Sequence, residues 1–235
     1  MAKRQIILDT ETTGINPLEG HRIVEIGCVE MFNRRLTGNN FHIYLNPDRV
    51  MDQEVINIHG ITNEFVADKP RFRDIAQQFF DYIKGAELVI HNAAFDVGFI
   101  NNEFGLLQPA LAKVDTICAV LDTLAMARDL HPGQKNNLDA LCRRYDVNNS
   151  HRTFHGALLD AEILADVYLA MTGGQVSLNL AAQTEGDQQQ STLQQTGLIR
   201  RGALQIVRAS ASEMAAHEQR LDLVQKKGGS CLWRN

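Results

Sequence analysis

The sequence predicts an α/β domain followed by a flexible tether and a C-terminal helical tail. Three features carry this expectation. The first 45 residues hold short runs rich in Ile and Val, each bounded by turn residues, which read as strands. From Phe72 onward, stretches with apolar residues at helical spacing alternate with further short apolar runs. After Gly173 and Gly174 the composition shifts to Gln, Thr, Ser and Gly, and a helical pattern returns only at Ser210.

A chain of 235 residues suits one domain of ordinary size with something added, and 44% hydrophobic residues provide a full core. The apolar runs are too short to span a bilayer, and Ile6 to Leu8 before Asp9 do not make a signal peptide. Cys28, Cys118, Cys142 and Cys231 are scattered without a C-x-x-C pair, as expected of a reduced, cytoplasmic protein without structural zinc. The first three are expected in the core. The net charge of −5 argues against a protein that holds long nucleic acid by its own field. If the chain acts on nucleic acid, it grips few phosphates, and metal ions or a partner protein supply much of the affinity.

Gln5 to Leu8 reads as a buried strand closed by Asp9 and Glu11, with Thr12, Thr13 and Gly14 turning the chain. Residues two apart on a strand point to one side, so the two carboxylates stand together. That is tolerable with a divalent cation between them, such as Mg²⁺ or Mn²⁺, or if the strand ends in a solvated acidic turn. Arg22 to Phe32 and Phe41 to Leu45 follow as strands of an antiparallel meander, with Glu25 and Glu30 structural or solvated. Asp52 to Glu64 reads as a loop with a short helix. On spacing alone its His59 is a core or solvent-exposed loop histidine rather than a substrate contact.

Phe72, Ile75, Ala76, Phe79, Phe80 and Ile83 form the apolar stripe of a helix ended by Gly85. Glu87 to His91 is a further buried strand, and Asn92 caps a helix over residues 93–104 with Asp96 in its first turn. There an acid meets the helix dipole favourably, or serves as a third carboxylate at a strand end. Residues 114–117 read as a short strand, followed by a helix to Leu130. Asn137 caps a helix to Tyr145, and Ala157 to Met171 form a long helix. His155 and Asp160, five residues apart, would lie about 140° apart on a helix. If both serve one site, His155 must sit on the preceding loop or at the frayed helix start; otherwise it is an ordinary loop histidine.

The set Asp9, Glu11, Asp96, His155 and Asp160 combines four acids with a histidine. Such a set can hold two divalent ions roughly 3.5–4 Å apart for phosphodiester hydrolysis. The histidine is suited to take a proton from water near neutral pH. Beyond Gly174, Q-V-S-L-N-L at residues 175–180 stands out in the polar tract. Ser210 with Glu213 signals a capping box, and Lys226 to Gly229 a helix stop. One helix with Leu221, Leu223 and Val224 cannot build a core. It either packs on the main domain or, with the interface-type Trp233, docks on a partner.

D-T-E-T-T-G at 9–14, H-N-A-A-F-D at 91–96 and H-x-x-x-x-D at 155–160 resemble, in this order, the three motifs of the DEDDh 3′–5′ exonucleases. The resemblance covers residues 5–172. It implies a ribonuclease-H-like exonuclease fold, a mixed central sheet with its first three strands antiparallel and flanked by helices. By motif position Asp9, Glu11, Asp96 and Asp160 would be the metal carboxylates and His155 the general base. N-R-R-L-T-G-N-N-F-H at 33–42, H-G-A-L-L-D-A at 155–161 and L-D-L-V-Q-K-K-G-G-S-C-L-W at 221–233 are similar to the branch that proofreads for bacterial DNA polymerase III. That branch implies contacts to the nucleotide at the DNA 3′ end from Glu54 and His59, beside Asp9, Glu11 and Asp160, and so overturns the spacing-based reading of His59. Residues 175–180 resemble a peptide that binds the beta sliding clamp, with Gln175 in a polar pocket and Leu178 and Leu180 in an apolar one.

The implied organisation is an exonuclease domain at 1–172, a linker at 173–209 and a docking segment at 210–235. Leu221, Leu223, Val224 and Trp233 would meet the polymerase alpha subunit, and a small theta subunit would sit on the exonuclease domain. The implied function is proofreading, the removal of mispaired 3′ nucleotides by two-metal-ion hydrolysis. An RNA-trimming exonuclease of the same superfamily would have no use for the clamp peptide or docking tail. A non-catalytic scaffold between polymerase and clamp would have no use for the intact metal and base positions.

Overall fold

The buried run Gln5–Leu8 sits at the centre of the sheet. In the computed structural model, which describes residues 4–150, 154–173, 209–229 and 231–234, β1 (Arg4–Thr12) has neighbours on both sides. On one side β2 (Ile23–Phe32) runs antiparallel to it, from Arg4 opposite Phe32 to Glu11 opposite Glu25. On the other, β5 (Glu87–Ile90) runs parallel. The two-residue β3 (Arg35–Leu36) and β4 (Phe41–Tyr44) both pair antiparallel with β2, and β6 (Ala119–Asp122) pairs parallel with β5. The result is a mixed sheet of order β3-β2-β1-β5-β6, with β4 also beside β2.

Strand alternation sorts the helices. Ile6 and Leu8 of β1, with Ile26, Cys28, Leu88 and Ile90, pack on one face against α3 (Phe72–Ile83) and α4 (Ala93–Gly105). All six stripe residues of α3 are buried, as their spacing predicts. Ile7, Val29, Met31 and Val89 face the other way, against Ala161, Leu164, Ala165 and Tyr168 of α8 (Ala157–Thr172). Behind α8, Ile163, Val167 and Met171 meet α6 (Thr123–Leu130) and α7 (Leu138–Tyr145) through Ala127, Leu141 and Cys142. Near β2, α1 (Gln53–His59) and α2 (Asn63–Val66) form where a loop with one short helix is predicted.

β2 stays paired with β1 through Glu11, as a strand closed by Asp9 and Glu11 requires, and the register slips only at Glu11/Thr12. Two expectations need correction. Residues 114–117 are helical (α5, Val114–Ile117), closed by the Cys118 amide donating to the Val114 carbonyl. The strand is β6, whose Ala119 and Val120 are exposed, so no buried run marks it in the sequence. Asn92 occupies the N-cap of α4 with φ of 68° and makes no side-chain cap bond; its amide instead donates to Asp122 Oδ1 at 3.2 Å. By contrast Asn137 caps α7, its side chain accepting from the Ala140 amide.

Buried carboxylates join these layers. Glu103 of α4 takes a two-pronged hydrogen bond from Arg22, Nε and Nη2 each at 2.7 Å. Glu30 is structural rather than solvated, accepting from Arg4, Thr37 and Asn39. Glu25, 2% exposed, pairs with His42 Nε2 at 2.7 Å and accepts from the Ala157 amide at 3.0 Å.

The chain divides into two compact units, Met1–Asn179 and Leu180–Asn235. In the second, α9 (Ala211–Gly228) carries the expected Ser210/Glu213 capping box and ends at Gly229 in the left-handed conformation. A 3₁₀ turn (Leu232–Arg234) follows, and Arg234 bonds Glu218 and Asp222. All four cysteines are free and buried. No helix among the described residues is long and apolar enough to cross a membrane.

A Cβ on Gly27 would lie 2.1–2.4 Å from backbone atoms of Ala157 and Leu158, so α8 rests directly on β2 at this point. Gly27→Ala is expected to cost about 1–3 kcal/mol, because backbone cannot yield as a side chain does. Gly98→Ala, where the added methyl meets nothing within 4 Å, serves as the control and should be neutral or stabilising. Urea unfolding of both variants measures the difference.

Candidate active site

The site forms where β1, β2, α4 and α8 converge. On β1, Asp9 and Glu11 share the parity of Ile7 and face α8, while Thr10 shares that of Ile6 and Leu8 and faces α4. Thr10 Oγ1 donates to Asp96 Oδ1 at 2.7 Å, tying the first turn of α4 to the strand. Opposite Asp9 on β2 stands Gly27, and opposite Glu11 stands Glu25. The missing side chain of Gly27 admits the start of α8, and the Glu25 carboxylate accepts from its first amide. Gly156, the N-cap, has no side chain for that task. Asp160, in the first turn of α8, is thereby brought over β1, buried to 4% exposure.

His155 lies on the loop before α8, a placement that its spacing from Asp160 allows if both serve one site. Its amide donates to the Ile58 carbonyl of α1 at 3.1 Å. The preceding Phe154 ring packs on Gly60, which has φ of +74° and closes α1. His155 Nδ1 is 3.4 Å from Asp160 Oδ2, and half of its side chain is exposed. Donor atoms of Glu11, His155 and Asp160 all lie within 4.8 Å of one another.

These residues line a cavity of about 280 Å³ together with Asp9, Asp96 and Asp139. Complete burial pushes the Asp96 carboxyl up to about 7, against the lowering effect of the Thr10 hydrogen bond. The lining offers oxygen-rich, hard donors, the chemistry that suits a small divalent cation. Asp9, Glu11, Asp96, His155 and Asp160, singled out in the sequence, thus meet in one place.

Glu54 and His59 do not line the cavity. Both are on α1; Glu54 is exposed, and His59 is buried with its Nδ1 accepting from the Ile61 amide at 3.0 Å. Burial lowers the His59 pKa, nearby Glu25 raises it, and His155 lowers it further. Sequence reasoning missed Thr10 and Asp139. Thr10 was legible only as the residue between two acids on a strand, and Asp139 reads as an ordinary first-turn acid of α7. Gln175, Leu178 and Leu180 lie outside the described residues. On α9 Leu221 is buried, whereas Leu223, Val224 and, beyond the helix, Trp233 are exposed.

The family model described as Exonuclease (RNase_T) matches residues 6–168. DNA polymerase III subunit epsilon of Salmonella typhimurium is 60% identical over 236 residues, covering 98% of this chain and 97% of that one. The Escherichia coli subunit shows the same identity and coverage. Among solved structures, exonuclease X in complex with 5′ overhanging duplex DNA aligns with a TM-score of 0.56 at 28% identity, covering 72% of this chain and 91% of that one. The chain therefore belongs to the exonuclease family, whose members are metal-dependent nucleases, and within it to the DNA polymerase III epsilon subunits: it is a proofreading 3′–5′ exonuclease.

Proposed function

We propose that the cavity hydrolyses the terminal phosphodiester of a DNA 3′ end, with His155 as general base and Asp9, Glu11, Asp96 and Asp160 holding two divalent ions, Mg²⁺ or Mn²⁺. The observation that carries this reading is the convergence of Glu11, His155 and Asp160 donor atoms within 4.8 Å, beside Asp9 and Asp96. When bound, such ions supply positive charge to the diester and the leaving oxygen and make a water acidic enough to deprotonate near neutral pH. The remaining work falls to the chain. Asp160 faces His155 Nδ1, which favours the tautomer with a proton there and makes Nε2 the basic nitrogen. The ring is half exposed, and its loop bonds the Ile58 carbonyl of α1 through the His155 amide. Thr10 keeps Asp96 oriented, and Glu25 keeps the start of α8 in place.

In this reading Asp9, Glu11 and Asp160 also meet the substrate, with Glu54 and His59 reaching the terminal nucleotide from α1. Selectivity for a mispaired end follows from its easier fraying. The epsilon-subunit relatives support assembly in a DNA polymerase III complex in the cytoplasm. Residues 210–235 would bind the alpha subunit through Leu223, Val224 and Trp233. Theta would bind the exonuclease domain at 1–172, and Gln175, Leu178 and Leu180 in the linker at 173–209 would bind the beta clamp.

With a 5′-labelled single-stranded DNA oligonucleotide and Mg²⁺, stepwise shortening from the 3′ end is expected, and EDTA should abolish it. His155→Ala should slow it by about 10²–10⁴-fold, the usual worth of a general base. RNA degraded in place of DNA would overturn the reading. Asp96 adds a pH signature to the metal-free protein. Its carboxyl ionises near 3.8 when unfolded and near 7 when folded, so unfolding releases a proton between these values. Its contribution to stability is present below about pH 4 and lost as pH rises to about 7. The Tm without metal should therefore fall across this window. Mg²⁺ should raise it most at the alkaline end, and Asp96→Asn should flatten both trends in a thermal scan.

A further inference from the structure

The catalytic cavity is lined by Asp9, Glu11, Asp96, Asp139 and Asp160, and among the described residues by no lysine or arginine. A DNA strand entering it carries phosphates upstream of the bond to be cut, and divalent ions at the carboxylates would serve only the scissile group. A second cavity, of about 510 Å³, adjoins the first and shares His91, Asn92 and Asn137 with it. Its further lining includes Arg128 and Gln134. Arg128 is the only cationic side chain lining either cavity among the described residues.

This second cavity is well braced. His91 Nδ1 pairs with Thr123 Oγ1 at 3.0 Å, which ties the end of β5 to the start of α6. Asp122 Oδ1 accepts from the amides of Asn92, Leu124 and Ala125 and so fixes the turn between β6 and α6. Arg128 sits in the last turn of α6, exposed, and forms no ion pair among the described residues. The side-chain amide of Asn92 makes no cap bond to α4 and lies, exposed, on the wall common to both cavities. A guanidinium with neighbouring amide donors is the set that recognises a phosphodiester oxygen without reading a base.

Resting on the exonuclease reading above, we propose that the cavity at Arg128, Gln134 and Asn92 is a phosphate subsite for the DNA strand upstream of the scissile bond. It would hold one non-terminal phosphate and so align the 3′ end with the carboxylates. One such contact fits an acidic chain that grips few phosphates by itself.

The test compares two substrates for the full-length protein with Mn²⁺. One is the p-nitrophenyl ester of thymidine 5′-monophosphate, which has no upstream phosphate; the other is a short oligo-dT. Wild type is expected to gain in kcat/KM on going from ester to oligonucleotide, and Arg128→Ala should lose most of that gain through a KM about tenfold higher. Arg128→Lys should restore much of it, since the charge returns. The slope of log KM against log salt should fall by about 0.7 in the Ala variant, the share of one single-strand phosphate. The loss should be equal for oligo-dT and oligo-dA. An equal proportional loss on ester and oligonucleotide, an unchanged salt slope, or a loss confined to one base would overturn the subsite. Wild type inactive on both substrates would overturn the exonuclease reading as well.

Discussion

The rest of the site depends on the close approach of α8 to the sheet at Gly27. A helix start carries unpaired amides and rarely touches a strand so closely. Here the strand gives way by having no side chain, and two residues along it Glu25 supplies the carboxylate that the helix N-terminus needs. Asp9 and Glu11 lie across the ladder from these two residues. The two positions on β2 that admit the helix are therefore the partners of the two positions on β1 that carry the acids. Asp160 and His155 arrive at the site because the helix does.

The same economy explains the two sides of the cavity. Strand alternation sends Asp9 and Glu11 toward α8 and Thr10 toward α4. Thr10 then holds Asp96, whose burial keeps it reluctant to ionise without a cation. A like-charged cluster in a low-dielectric place costs free energy that protonation or a bound cation offsets. Away from the cavity, Arg22 and Glu103 form a two-pronged pair, and Phe72, Phe79 and Phe104 pack as an aromatic core. The loop with His155 is joined to α1 through Ile58 and Gly60, so His155 and the helix with Glu54 and His59 are mechanically linked.

Much of this was legible in the residues. The stripe of α3, the caps of α7 and α9 and the acid pair of β1 are local patterns, because periodicity, capping and alternation act over a few neighbours. Helical geometry alone required that, if His155 and Asp160 serve one site, His155 lie on the loop or at the frayed start of the helix; it lies on the loop. β6 escaped notice because an edge strand with exposed Ala119 and Val120 shows no buried run. Asn92 looked like a cap because its residue type fits, while the actual bond runs to Asp122, 30 residues away. Leu221 looked as available as Leu223 and Val224, and it is buried where they are exposed.

The sequence by itself determined which chemical groups the chain can bring to a site, and in what order, because carboxylates, a loop histidine and their motif spacing are written locally. Only the tertiary structure decided that Glu25 is a helix cap, that Thr10 and Asp139 belong to the cavity, and that a cavity with Arg128 adjoins it. Those facts depend on contacts between residues as far apart as Glu25 and Ala157. No local pattern encodes such a distance; it is set by which faces must be buried together when the sheet and its helices close.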